Sequence, residues 1–158
     1  ARERSAFPLL DADGRAMRES IAYQPSCIKP NVHELARLVG RDLPTENDIL
    51  TACDELHQKG ISCVLVSRGK EGLILSASGT RLKAVAPPVD VGSTVGAGDS
   101  VVAGFVWAHS QHRSLEDCVR LACAAGTATA MTPGTELCHH RMVEEILPQV
   151  VIENLMES

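Results

Sequence analysis

Short apolar runs alternate with helix-like periodicity along this chain. Apolar runs bounded by turn residues predict strands, and apolar positions spaced three and four apart predict amphipathic helices between them. The predicted strands cover residues 7–10, 26–29, 63–66, 72–75 and 81–86. The run Cys63–Val66 is wholly apolar, which is typical of a strand buried on both faces of a parallel sheet. Strands that alternate with helices predict an α/β layered fold with a mainly parallel sheet.

Capping residues mark where the helices begin and end. Asn31 has the pattern of an N-cap for a helix that runs to about Val39 and stops at Gly40. Thr45 and the acids that follow it predict a second helix, which Gly60 ends. Four further helices are predicted: one over residues 15–23, one over 97–110, one that begins after the cap at Ser114, and one over 141–147. The helix over 97–110 is apolar on nearly all sides, and we expect it to be deeply buried.

Composition and charge exclude several classes of protein. The 158 residues are 44% hydrophobic and suit a single domain over 1–158. There are 15 Lys and Arg against 20 Asp and Glu, and no basic run, so neither nucleic acid nor an anionic membrane is an expected partner. No apolar stretch approaches the roughly 18–20 residues that a spanning helix needs. Six cysteines lie in apolar runs without a CxxC pair, which favours buried, reduced thiols and a cytoplasmic location.

The most informative segment is the glycine-rich stretch before the predicted helix over 97–110. Gly96 and Gly98 stand where that helix begins, so its unpaired N–H groups and positive dipole end favour a bound anion. Asp99 lies in the same turn and suits a general base for an attacking hydroxyl. Alternatively, Asp99 only stabilises the helix start and the glycines form a tight turn. Neither a Walker A lysine nor a third glycine of a dinucleotide-binding fingerprint is present.

Four segments of the chain stand out in order: Lys29-Pro30-Asn31-Val32-His33-Glu34-Leu35, Val66-Ser67-Arg68-Gly69-Lys70-Glu71-Gly72, Ser93-Thr94-Val95-Gly96-Ala97-Gly98-Asp99-Ser100, and Ala124-Ala125-Gly126-Thr127-Ala128 with Pro133-Gly134-Thr135. Together they resemble the ribokinase-like (PfkB) carbohydrate kinases, and most closely their phosphosugar branch of 1-phosphofructokinase and tagatose-6-phosphate kinase type. Ser93 stands where many members have aspartate, which agrees with the phosphosugar branch.

The resemblance implies a role for each matched position. Asp99 would accept the proton of the sugar hydroxyl, and the backbone of Gly96, Ala97 and Gly98 would form the anion hole for the transferred phosphoryl group. Asn31 and Glu34 would organise Mg²⁺ and phosphate indirectly, through water, although the same pair also suits a helix cap. A nucleotide-binding turn would consist of Ser67, Arg68, Gly69, Lys70, Glu71 and Gly72. That turn equally suits an ordinary connection between strands.

The implied protein is a phosphotransferase with an alcohol acceptor. It would use ATP and Mg²⁺ to phosphorylate a sugar phosphate such as fructose 1-phosphate, fructose 6-phosphate or tagatose 6-phosphate. The implied fold is the three-layer α/β/α core of the family without its N-terminal part and β-lid, so we expect a chain that is inactive or nearly so alone and that forms a homo-oligomer. Two alternatives remain open: a non-catalytic nucleotide-binding module, and a vitamin or nucleoside kinase of the same fold.

Overall fold

The chain folds into an α/β structure, which a computed structural model describes for residues 6–77 and 79–156. In chain order its elements are β1 (Leu9–Leu10), α1 (Gly14–Ile21), β2 (Cys27–Ile28), α2 (Val32–Val39), α3 (Glu46–Gln58), β3 (Cys63–Ser67), β4 (Leu73–Ala77), β5 (Thr80–Val85), α4 (Ala97–Ser110), α5 (Leu115–Ala130), α6 (His140–Ile146) and β6 (Val151–Asn154). The strand order in the sheet is β1-β2-β3-β4-β5-β6. The predicted α/β fold is therefore confirmed, with parallel pairing from β1 to β3 and antiparallel pairing of β5 with β6.

Two compact units make up the described part of the chain. The first contains the residues up to Arg68 together with Ile74–Arg81, and the second contains Gly69–Leu73 together with the residues from Leu82 onward. Strands β4 and β5 contribute residues to both units. Across the described residues, no helix combines the length and the apolar character that a membrane crossing requires.

Three parallel strands form the centre of the first unit. Leu9 pairs with Cys27 between β1 and β2, and Cys27 pairs with Cys63 between β2 and β3. In β3, Val64 to Val66 are fully buried, as the wholly apolar run predicted. Parallel strands place their carboxyl ends at one edge of a sheet, and in open α/β sheets ligands bind beyond that edge. The residues that follow β2 and β3 are therefore those to inspect for a site.

Helices α2 and α3 begin at the predicted caps. The Thr45 side chain accepts a hydrogen bond from the Asp48 N–H, and Asp48 reciprocates at the Thr45 backbone N–H, so α3 has a capping box. The hydrogen bond donated by the Thr45 hydroxyl holds the pKa of Asp48 below its ordinary value. Gly40 ends α2 in the left-handed conformation that a residue with a side chain rarely adopts. These local signals were sufficient to predict both helices.

The second unit is centred on the helix pair α4 and α5. A methyl group at Gly126 of α5 would lie 2.5 Å from Val101 Cγ2, so the two helices approach closely there. Val101, which lies at this contact, and Phe105 are buried, whereas Val106 and Trp107 are 40% and 54% exposed. The expected deep burial of the whole helix was therefore wrong. Apolar residues surround α4, but part of their surface is exposed in the described structure.

Most of the cysteines are buried, as predicted. Five are buried and Cys138 is half-buried, and the described residues contain no disulfide. Burial raises the pKa of Cys53 to about 12 and that of Cys123 to about 11. Cys27 lies with its Sγ 3.3 Å from Cys63 Sγ, and this hydrogen bond together with burial raises the pKa of Cys27 as well. Cys27, Cys53 and Cys123 are therefore not suited to act as thiolates near neutral pH.

Candidate functional site

Asn31 and Glu34 form the start of α2 in the first unit. Asn31 Oδ1 accepts a hydrogen bond from the Glu34 N–H at 2.9 Å, and Glu34 Oε2 accepts one from the Asn31 N–H at 2.8 Å. This reciprocal pair is a capping box, which satisfies two helix donors that would otherwise lack partners. The capping role of the pair is confirmed, and its role towards a ligand remains a prediction.

Ser67 lies beside Asn31 at the edge where β2 and β3 end. The two residues form an isolated parallel bridge, and the Ser67 N–H donates to the Pro30 carbonyl at 3.0 Å. The structure thus brings together the Asn31–Glu34 pair and the first residue of the predicted nucleotide-binding turn. Sequence analysis placed both segments after strands but could not show that the strands were neighbours.

Lys29 is a charged residue at the same edge to which sequence analysis assigned no role. It is 5% exposed, and its Nζ lies 3.3 Å from Asp11 Oδ2. Lysine is almost never buried to this extent without a partner. The available signal was its position, since Lys29 interrupts an apolar run directly before Pro30 and Asn31.

Arg68 continues the chain from Ser67 but does not offer an unpaired charge. Its Nη1 donates to Glu46 Oε2 at 2.9 Å, and the Arg68 side chain is only 13% exposed. Glu46 is the first residue of α3, so the ion pair fastens the end of β3 to that helix. We conclude that the positive charge of Arg68 is largely neutralised within the first unit.

The remaining four residues of the predicted nucleotide-binding turn belong to the second unit. Gly69–Glu71 form a single 3-10 turn, closed by a hydrogen bond from the Gly72 N–H to the Gly69 carbonyl at 3.1 Å. Gly72 has φ +84°, and a Cβ there would lie 1.9 Å from the carbonyl oxygen of Ala84. Only glycine fits this position, because both the dihedral angle and the neighbouring backbone exclude a side chain. Lys70 lies exposed on the turn.

A second turn in this unit leads into α4. Gly96 is the N-cap of the helix with φ +78° and provides no side chain to satisfy the first amides. The Ala97 N–H donates to Thr94 O at 3.3 Å, and the Ser100 N–H donates to Gly96 O at 2.9 Å. The N–H groups between them, those of Gly98 and Asp99, have no acceptor within the helix because they lie in its first turn. This helix end therefore has unpaired donors and a positive dipole end, and the predicted binding of an anion there remains a prediction.

Asp99 is the third residue of α4 and is exposed. No hydrogen bond or ion pair joins its carboxylate to another residue that the structure describes. A carboxylate committed to a salt bridge could not accept a proton from a substrate. Asp99 has no such commitment among the described residues, and its role as a general base remains a prediction.

The predicted metal role can be tested against the donors present. Among residues 6–77 and 79–156, no three His, Cys, Asp or Glu side chains cluster closely enough to hold a metal ion. The amide oxygen of Asn31 and one carboxylate oxygen of Glu34 are already occupied by the capping box. Mg²⁺ commonly keeps several water ligands and takes phosphate oxygens besides one or two carboxylates. Asn31 and Glu34 therefore fit a role in which they contact Mg²⁺ through its bound water. They do not fit a site in which protein side chains alone coordinate the ion.

Known proteins resemble this chain over most of its length. The model of the pfkB family of carbohydrate kinases matches residues 4–141. The 1-phosphofructokinase of Borreliella burgdorferi is 32% identical over 151 residues, which are 95% of this chain and 48% of that protein. The chain spans about half the length of the curated relatives it matches.

Solved structures show the same similarity. Phosphofructokinase-2 from Escherichia coli, in complex with substrates and products, superposes with a TM-score of 0.84 at 36% identity and covers 89% of this chain and 46% of its own. Ribokinase from Arabidopsis thaliana, complexed with ribose and ATP, gives a TM-score of 0.79 at 29% identity and covers 88% of this chain and 46% of its own. On this similarity the chain belongs to the pfkB family of carbohydrate kinases, with the ribokinase-like α/β fold.

Proposed function

We propose that this chain forms the phosphate-binding and proton-transferring part of an ATP-dependent kinase that phosphorylates a hydroxyl group of a sugar phosphate. The observation that carries the proposal is the exposed, uncommitted carboxylate of Asp99 next to the unpaired amides that begin α4. Family membership supports the reaction class. The relatives named 1-phosphofructokinase and phosphofructokinase-2 support a fructose phosphate as the acceptor.

In the proposed reaction, Asp99 removes the proton of the acceptor hydroxyl as that oxygen attacks the terminal phosphorus of ATP. A phosphorus–oxygen bond to the acceptor forms, the bond to the β-phosphate breaks, and ADP leaves with the electron pair. The amides of Gly96, Ala97 and Gly98 would stabilise the negative charge of the transferred group, with Gly98 best placed because its N–H lacks a helical acceptor. We retain the predicted anion hole of all three residues.

Two further predicted segments would contribute to nucleotide and metal binding. Ser67 and Arg68, followed by the turn Gly69–Gly72, would contact the nucleotide, and Asn31 with Glu34 would hold magnesium-bound water. Bound Mg²⁺ supplies neutralisation of the phosphate charges during transfer. Acceptor recognition is assigned to no residue of this chain, so we expect the 158 residues alone to turn over little or no substrate. We also propose that the protein self-associates. A tetrameric form of phosphofructokinase-2 from Escherichia coli supports this part of the proposal.

Replacement of the base tests the proposal in the full-length gene product. Asp99→Asn keeps the size of the side chain but cannot accept the proton, so we expect kcat to fall by about 10²–10⁴-fold with little change in ATP affinity. Asp90→Asn is the matched control, since Asp90 is another exposed acid in the loop that leads to the same turn. ADP release is measured with fructose 1-phosphate, fructose 6-phosphate, tagatose 6-phosphate and a nucleoside, and ATP affinity by calorimetry.

The outcomes separate the alternatives. If Asp99→Asn stays within a few-fold of the wild type while the acceptor is phosphorylated, Asp99 is not the base. Binding of ATP without turnover of any acceptor would favour the non-catalytic nucleotide-binding module. Turnover of the nucleoside in preference to the sugar phosphates would assign the protein to a different branch of the family.

A further inference from the structure

Two buried hydroxyl groups lie beneath the turn that carries Asp99. Ser100, the next residue along α4, is 7% exposed, and Thr129, in the last turn of α5, is fully buried. Their oxygens Oγ and Oγ1 are 2.7 Å apart, so one hydroxyl donates to the other. Since Ser100 follows Asp99 directly, this bond fixes the first turn of α4 against the end of α5.

The same threonine also holds the segment that follows α5. Thr129 Oγ1 accepts a hydrogen bond from the Cys138 N–H at 3.1 Å. Next to Cys138, Leu137 packs over the turn, and its Cδ2 lies only 2.8 Å from the point where a Cβ of Gly96 would be. Thr129 therefore joins two elements that both touch the turn: α4 through Ser100, and the segment before α6 through Cys138.

The end of α5 holds the other side of the turn as well. The carbonyl of Ala130 accepts hydrogen bonds from the N–H groups of Gly92 and Ser93, at 2.9 and 3.2 Å. These residues begin the loop that leads to Gly96. Thr129 and Ala130 thus fix the glycine-rich segment at its start and at its end.

We infer that Thr129 is a positioning residue for phosphoryl transfer: through Ser100 and Cys138 it holds the amides of Gly96–Gly98 and the carboxylate of Asp99 in one geometry. The inference rests on the proposed function. Amide donors stabilise a transferring group only while they are already oriented, because reorientation during the reaction costs part of the stabilisation. A displacement of about 1 Å in a reacting group is enough to lower a rate by about 10²-fold.

Three substitutions test the inference in the full-length gene product. Thr129→Val replaces the hydroxyl by a methyl group of similar size, and Thr129→Ser keeps the hydroxyl. Ser76→Ala is the control, because Ser76 is an equally buried hydroxyl whose partner is His57 Nε2 at 2.8 Å. We measure kcat and KM for ATP on the better of fructose 1-phosphate and fructose 6-phosphate, together with hydrogen–deuterium exchange of the amides of residues 92–100.

We expect Thr129→Val to lower kcat by about 10–100-fold while KM for ATP changes by less than about three-fold. Exchange of the amides over 92–100 should accelerate in the same variant, and Thr129→Ser should restore both quantities to near the wild-type values. Ser76→Ala should change neither. If the role of Thr129 were purely structural, Thr129→Val would lower the fraction of folded protein. It would not lower kcat selectively in the folded protein while KM for ATP stays nearly constant.

Each contrary result has a defined meaning. Unchanged exchange over 92–100 in Thr129→Val, or a fall in kcat no larger than that of Ser76→Ala, would overturn the inference. If Thr129→Val does not fold, Ser100→Ala removes the same 2.7 Å bond from the other side and decides by the same criteria. A wild-type protein without turnover on any acceptor would refute the proposed function, whereas the exchange rates still decide whether Thr129 holds the turn.

Discussion

Alanine at Gly72 should destabilise the protein far more than alanine at Gly69, although both glycines lie in one short turn. Gly69 has φ +58° and Gly72 has φ +84°, so both are in the left-handed region that disfavours a side chain. That conformation costs an alanine about 1–2 kcal/mol at either position. Because the two substitutions share this cost, the difference between them isolates the effect of neighbouring atoms.

Only Gly72 has such neighbours. A Cβ there would lie 1.9 Å from Ala84 O and 3.1 Å from Val85 Cα, whereas a Cβ at Gly69 would meet no atom of the described residues within 4 Å. Ordinary contact begins at 3.4 Å, so the turn or the backbone of β5 must move. Overpacking of this kind costs about 1–3 kcal/mol. The free energy of unfolding should therefore fall by about 2–5 kcal/mol for Gly72→Ala and about 1–2 kcal/mol for Gly69→Ala.

Urea unfolding of the wild type and both variants, followed by far-ultraviolet circular dichroism, measures these values. The midpoint should decrease in the order wild type, Gly69→Ala, Gly72→Ala, with an unchanged dependence on urea concentration. Equal losses for the two variants, within about 0.5 kcal/mol, would show that Ala84 does not approach the turn as closely as the structure describes. The turn would then lack the rigidity that a nucleotide-binding role requires.

Two further predictions concern charge. Asp11→Asn leaves the buried ammonium of Lys29 without its charged partner and should lower the free energy of unfolding by about 1–3 kcal/mol in a urea titration. Asp13→Asn is the control, because Asp13 forms an exposed ion pair with Arg37, and it should cause no resolvable change in the same measurement. Burial raises the pKa of Cys53 to about 12 and that of Cys123 to about 11 in the folded protein. As the pH rises, the unfolded chain therefore loses these protons before the folded protein does. The free energy of unfolding should fall between about pH 9 and 11, by about 1.4 kcal/mol per pH unit for each thiol. Alanine at both positions should reduce that slope in urea titrations across this range, and an unchanged slope would contradict the assignment.

Elements with strong local signals were predicted well. The bounds of α4, Ala97–Ser110, agree with the prediction, as do the caps at Asn31 and Thr45. Each of these signals acts within a few residues, since a glycine, a capping side chain and a turn of helix interact without reference to the rest of the fold. The apolar run of β3 was equally informative, because a strand without polar positions has no face to give to solvent.

Features that depend on packing were missed or left open. Sequence analysis expected α4 to be buried all round, but its exposed face depends on which helix lies against it. The charge of Arg68 was available in the sequence, yet its partner Glu46 lies 22 residues earlier and became visible only in the fold. In the same way, nothing along the chain indicated that Lys29 pairs with Asp11 or that Thr129 reaches Ser100.

The groups from which the proposed chemistry is built thus follow from short segments: a helix start with unpaired amides, an acid beside it, and a capped helix after a strand. These depend on backbone geometry and on residues a few positions apart, so their physical basis is local. Residues tens of positions away decide which of those groups is paired, which is exposed and which is fixed in position. Burial and ion pairing are properties of neighbours in space, and the chain acquires those neighbours only when its strands and helices pack.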